Sequence, residues 1–302
     1  MLTNCSEKPA PAPETKAKTK TIMKNNAITH LRYPVNSLMR LPIFLTALAA
    51  VLVVSASLTG CRPPDMTAEF QLALSEAAAG NLESALERSS RCLQAAPDDL
   101  DAVTLNNFCQ FMLNNDKATT EKVLFSFERS IEQAPNRFDL RYFYGWMLYR
   151  NGKYPEALNA LEKAYELLPN SVARDNAATR GNLLFLMGRC CVFNNLPRGM
   201  RYLQAARVYE PFGEWPELYN SLAILSLYQQ NWNQAVVWLE TGLRKDPAHP
   251  ALLRNLAIVY DNYLNDRVKA SQCYDLALVA IGASDPAASA AITARLNQIR
   301  PR

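Results

Sequence analysis

Histidine, the usual general base and zinc ligand near neutral pH, occurs in this chain only at His30 and His249. One histidine beyond the first sixty positions leaves no HExxH string and no Cys/His cluster of metal-ligand spacing, so no metal centre is expected. His249 stands between Ala248 and Pro250 in a stretch that reads as an inter-helix loop, and an exposed side chain is expected there. Asp98-Asp99-Leu100-Asp101 does not match a calcium loop and reads as a helix start, where carboxylates suit the dipole. No convincing strand precedes a Gly-rich phosphate loop, and no pair of carboxylates is singled out for acid/base work. Cys92, Cys109, Cys190, Cys191 and Cys273 lack the spacing of a disulfide framework, and the adjacent Cys190 and Cys191 point to different faces of a helix. Buried free thiols acting as small apolar residues are expected, with one disulfide as the alternative. These residues carry no expectation of an enzyme or of a cofactor.

Cys61 has a chemistry of its own. Leu41 to Leu58 is apolar except for Thr46, Ser55 and Ser57, and Arg40 precedes it. Basic residue, apolar core and small-residue site in that order form a secretory signal peptide. Leu58-Thr59-Gly60-Cys61 resembles the lipobox of bacterial lipoproteins. The resemblance implies that Cys61 is lipidated and becomes the first residue of a membrane-anchored protein facing the periplasm, and Arg62 in place of Asp leans towards the outer membrane. The same run is just long enough to span a bilayer, so an uncleaved anchor with a basic cytoplasmic tail is the alternative. Residues 1–38 read as a disordered basic leader, absent if translation starts at Met39 or, in large part, at Met23; residues 39–60 read as the signal peptide and 61–66 as a lipidated tether.

The net charge of +4 belongs to the leader. Seven basic residues against Glu7 and Glu14 give residues 1–60 a net +5, so the chain from Cys61 carries −1. A near-neutral chain with no basic cluster among aromatics is not expected to bind nucleic acid.

Three series of residues run in step through the rest. Pro97, Pro135, Pro169, Pro211 and Pro247 lie 38, 34, 42 and 36 residues apart, each closing a helical pattern. Ala85, Val123, Ala157, Gly199, Ala235 and Ala270 follow the same steps, as do Cys92, Ser130, Ala164, Ala206, Gly242 and Ala277. Small side chains seven residues apart let a neighbouring helix approach closely, and their recurrence means that one packing is made six times. The unit from Phe138 to Asn170 resembles the tetratricopeptide repeat at Gly145, Gly152, Tyr154, Ala157, Ala164 and Pro169, with Arg141 where the family prefers Trp and Tyr144 where it prefers Leu. The first unit keeps Leu72, Gly80, Leu82, Ala85 and Pro97, and the fifth Tyr219, Leu222, Trp232, Ala235 and Pro247. The expected fold is all-α, an α-solenoid of about six such helix pairs over 67–282 with a capping helix in 283–302. Extra residues at Asn114 to Thr120 read as a longer turn, and those at Asn170 to Arg180 as a lengthened first helix. Ser284-Asp285-Pro286 starts the cap, with Ala288, Ala291, Ile292, Leu296 and Ile299 on its apolar face.

In the family, the first helix of each unit lines a concave groove. Helical spacing selects Tyr142, Trp146, Tyr149 and Arg150 in the third unit and Phe185, Arg189 and Phe193 in the fourth. It selects Asn220, Ile224 and Tyr228 in the fifth and Arg254, Ile258 and Asn262 in the sixth. Aromatic stripes at this spacing are also what a core requires, and both readings stand at this point. The resemblance implies a scaffold that binds a protein or peptide partner in the cell envelope; an enzyme or ligand carrier is the second class.

Overall fold

The computed structural model describes residues 64–300 apart from 115, 169–173 and 193–195, so the Leu41–Leu58 run, Cys61 and Phe193 lie outside the described residues. Among the described residues every regular element is helical. First helices are α1 (Pro64–Ala79), α3 (Leu100–Leu113), α5 (Phe138–Arg150), α7 (Arg174–Cys190), α9 (Pro216–Tyr228) and α11 (Pro250–Val259). Second helices are α2 (Leu82–Ala95), α4 (Lys117–Gln133), α6 (Tyr154–Leu167), α8 (Leu196–Ala206), α10 (Trp232–Lys245) and α12 (Arg267–Ile281), and α13 (Pro286–Ile299) closes the chain.

The two kinds of helix differ in what they bury. In α9 all ten residues from Leu218 to Leu227 are buried, whereas α10 buries the single stripe Ala235, Leu239 and Gly242. A helix apolar on every side must be covered on every side. Each first helix packs against its own second helix and, from α3 on, against the second helix of the preceding unit, and α1·α3, α3·α5, α5·α7 and α9·α11 also touch one another.

Both small-residue series lie in this packing. Ala85, Val123, Ala157, Ala235 and Ala270 are fully buried, and Cys92, Ser130, Ala164, Ala206 and Ala277 are at most 5% exposed. A Cβ on Gly145 would lie 2.8 Å from Leu161 Cγ and 3.2 Å from Ala160 Cβ, so that residue sets how closely α5 and α6 approach. Gly199 meets the backbone of α7, its virtual Cβ standing 3.0 Å from the backbone oxygen of Gly188. In four of the units the turn into the second helix takes positive φ two residues before that helix. Gly80 (φ +86°) and Gly152 (φ +74°) supply it, and in the last two units Gln230 (φ 60°) and Asn265 (φ 55°) do the same. An L side chain there costs about 1–2 kcal/mol, which the surrounding packing offsets.

Four expectations change. The residues Asn114 to Thr120 do not form a longer turn: Asp116 accepts a hydrogen bond from Thr119 N at 2.9 Å, and α4 starts at Lys117 with 17 residues where α6 has 14. The extra residues therefore lengthen a second helix, because a good N-cap stands ahead of them. Helix α7 also has 17 residues, the lengthened first helix that was expected. Helix α1 begins at Pro64, inside the segment read as tether. His249 is no exposed loop side chain: its Nδ1 accepts from Leu252 N at 3.3 Å as the N-cap of α11. Ala291, read as part of the cap's apolar face, is exposed.

The cap otherwise follows its sequence. Asp285 accepts from Ala288 N at 2.9 Å, Pro286 takes the first turn, and Ile292, Leu296 and Ile299 are buried.

Cys92, Cys109, Cys190 and Cys191 are buried and Cys273 is half-buried. Burial pushes the Cys109 thiol from 9.0 up to about 12. In the unfolded chain that thiol ionises near 9, so the unfolded state loses its proton first, and stability present below pH 9 is lost as pH rises towards 12. The urea midpoint is therefore expected to fall above pH 9, and to fall less steeply in Cys109→Ala; identical slopes would show that the thiol is not held neutral.

Candidate binding cavity on the first-helix face

Over the second to fourth units the first-helix face is filled by its own side chains. Trp146 lies with its ring centroid 5.8 Å from Phe108 and 5.6 Å from Phe111, both on α3. Tyr142 packs edge-on against Phe143 at 5.3 Å, and Tyr149 lies 5.7 Å from Tyr154. Arg189 on α7 stacks over Tyr149 at 5.3 Å and over Phe185 at 5.6 Å, while Phe185 stands perpendicular to Trp215 at 5.8 Å. Cation–π and ring–ring contacts thus join one first helix to the next. Burial raises the Tyr142 phenol above its ordinary range, with the Asn182 amide beside it.

These positions correct the groove expected from spacing. Tyr142, Trp146, Tyr149, Phe185 and Arg189 are between 1% and 7% exposed, so they are packing residues between units rather than exposed anchors. Asn220 and Ile224 are likewise buried, and Asn220 accepts a hydrogen bond from Asn255 Nδ2 on α11 at 2.7 Å, tying the fifth unit to the sixth. Arg150, stacked 5.6 Å over Trp146, and Tyr228 are half-buried.

The sixth unit differs. Helix α13 packs on α12 and stands off from α11 around a cavity of about 380 Å³. Its walls include Arg254, Ile258 and Asn262, the three residues that spacing selected in this unit, together with Asp261, Tyr274 and Arg295. Ala287, Ala288, Ala291 and Ile292 of α13 give it an aliphatic side. Asp261, whose side chain is 3% exposed, accepts a two-pronged contact from Arg295, Nε at 2.6 Å and Nη2 at 2.8 Å. The Tyr274 hydroxyl donates to the same carboxylate at 3.4 Å. Burial, then the negative Asp261, lifts the Tyr274 phenol, and the arginines at 295 and 254 oppose the shift. The hydrogen bonds to Asp261 hold the Arg295 guanidinium above its usual value. A cavity of this size with a few polar groups on an apolar wall is the usual form of a binding site.

Asp261 was legible as a lining residue, since it lies seven positions after Arg254 and three after Ile258 on one helical stripe. Arg295 was not, because docking of the cap brings it across 34 residues. Among the described residues no group of three or more His, Cys, Asp or Glu could hold a metal ion, and no helix is long and apolar enough to cross a membrane.

The tetratricopeptide repeat family matches residues 138–171, the unit in which its pattern was read. The search of curated proteins gave no match. The structure is similar to PilW, described as a widely conserved type IV pilus biogenesis factor, with a TM-score of 0.62 at 14% identity over 77% of this chain and 100% of that one. It is similar to PilF of Pseudomonas aeruginosa, with a TM-score of 0.58 at 15% identity over 76% and 97%. It is also similar to YrrB, described as a TPR protein with an unusual peptide-binding site, with a TM-score of 0.51 at 17% identity over 68% and 97%. Identities this low speak for the fold alone. Among the described residues, six helix pairs with a shared small-residue packing form an α-solenoid of TPR-like pairs, and the tetratricopeptide repeat family itself is matched at residues 138–171.

Proposed function

We propose that the chain is a lipid-anchored scaffold that holds a protein or peptide partner in a bacterial envelope and works without catalysis. The observation that carries the binding reading is the cavity between α11 and α13, an opening on a first-helix face that α3 and α5 fill with Phe108, Phe111 and Trp146. Support for the class of ligand comes from YrrB, described as having a peptide-binding site, and for an assembly role from PilW, described as a pilus biogenesis factor. The anchor rests on Leu58-Thr59-Gly60-Cys61 after the apolar run.

Cross-linking in cells followed by purification tests the binding reading. Ala291 is exposed and lines the cavity, so Ala291→Trp fills the space without disturbing the core. The variant is expected to melt as the wild type does and to recover about tenfold less partner. Full recovery of the partner would place the interface elsewhere. The anchor has its own test in Cys61→Ser. Each buried methylene is worth about 0.8 kcal/mol, so two or more acyl chains attached through one cysteine residue anchor stably where the protein body cannot. The variant is expected to lose fatty-acid label and to leave the membrane fraction or accumulate as precursor. An unlabelled wild type of a mass that includes Leu41 to Leu58 would favour the uncleaved anchor.

A further inference from the structure

The geometry points to the outer face of α12 as a contact between two copies of this chain, paired antiparallel about a two-fold axis. Of the seven large apolar side chains exposed among the described residues, three lie on this one helix: Val268 at 70%, Leu276 at 56% and Val279 at 82%. Helix α12 turns Ala270, Tyr274, Ala277 and Ile281 inward. With α11 and α13 both packed on the helix, the outer three still face solvent. Aliphatic groups this exposed on one helix face mark an interaction surface.

Spacing selects the occupant. Val268, Gln272, Asp275 and Val279 follow one another at steps of four, three and four residues, the seam of a helix that pairs with another helix, and Leu276 lies beside it. When two such helices run antiparallel with the axis between Cys273 and Tyr274, Val268 meets Val279 of the second copy and Gln272 meets its Asp275, each contact being made twice. The Gln272 amide then donates to a carboxylate that also accepts from Arg300 of its own chain. The first turn of each α12, where Arg267 is exposed, lies against the last turn of the other, whose carbonyls carry partial negative charge. A parallel pair would set Asp275 against Asp275, which charge repulsion opposes. A lipid surface fits less well, because hydrocarbon offers Gln272 and Asp275 no partner in the middle of the seam. One helix seam is a small interface, so the association is weak, with a dissociation constant in the micromolar range.

Sedimentation equilibrium of the full chain in detergent, over the micromolar range, tests the pairing. The wild type is expected to show a monomer–dimer equilibrium. Val279→Glu and Val268→Lys are each expected to weaken it about tenfold, by placing a charge against an aliphatic group in the seam. The double variant is expected to recover most of the loss, since antiparallel pairing sets the two new charges opposite each other. Both positions are exposed, so the variants are expected to melt as the wild type does. Phe125→Glu, at an apolar site on α4 that is 61% exposed, is expected to leave association unchanged. A chain that is monomeric throughout, a dimer indifferent to Val279→Glu, or a double variant no tighter than the single ones would overturn the proposal. So would a photo-cross-linking amino acid at Leu276 that joins the chain to a different protein and never to itself. The cavity and its ligand enter none of these readings, so the partner-binding proposal stands or falls separately.

Discussion

Replacing Arg137 with methionine is expected to cost the fold about 3–5 kcal/mol, the usual result of removing one partner from a buried ionic group. Arg137 lies in the connection between α4 and α5. Its Nε donates to Asp139 Oδ1 at 3.0 Å, and its Nη2 donates to Asp101 Oδ1 at 2.6 Å and also to Asp139. The two carboxylates are 0% and 1% exposed. Burial alone would make the guanidinium easier to deprotonate, and the contacts with Asp139 and Asp101 outweigh it, raising the value above normal. One side chain therefore joins α3 to α5, and losing it removes a guanidinium that contacts two buried carboxylates. Urea unfolding measures the loss. The triple change Arg137→Met, Asp101→Asn, Asp139→Asn removes the stranded charge and is expected to recover part of the stability. A single variant as stable as the wild type would mean that the carboxylates reach water.

Trp146→Ala is expected to destabilise the protein by about 3–5 kcal/mol through loss of a large core side chain. Trp146 is 2% exposed and touches Phe108, Phe111 and Arg150, so its removal opens a void across the α3–α5 contact and takes away the surface on which Arg150 lies. An exposed partner anchor would behave otherwise, leaving stability almost unchanged and abolishing binding. Thermal melts and partner recovery on the same variant separate the two. A melting temperature close to wild type with binding lost would restore Trp146 to the groove.

The second helices were legible because a one-sided helix writes its buried face into the sequence. Ala157, Ala164, Ala235 and Gly242 recur at fixed steps since the same close contact is made in each unit, and each is buried. The first helices were legible as helices but not by face. Where neighbours cover a helix on all sides, as with α9, a stripe of aromatic and amide residues at helical spacing does not tell contact with the next unit from contact with a partner. Tyr142, Trp146 and Asn220 were selected on that spacing, and the structure uses them between units. Arg254 and Asn262 were selected in the same way and do line an opening. What separates the two outcomes is the last neighbour: α13 packs on α12 and contributes Arg295 to Asp261 across 34 residues, a geometry that helical period does not encode.

The most direct test places a photo-cross-linking amino acid at Asn262, an exposed residue lining the cavity, and in a second strain at Val237, 50% exposed on α10. The account predicts a discrete partner adduct from position 262 that fades when Ala291→Trp is added, and none from position 237. An adduct from position 237 with none from position 262 would contradict it and assign the partner to the second-helix face.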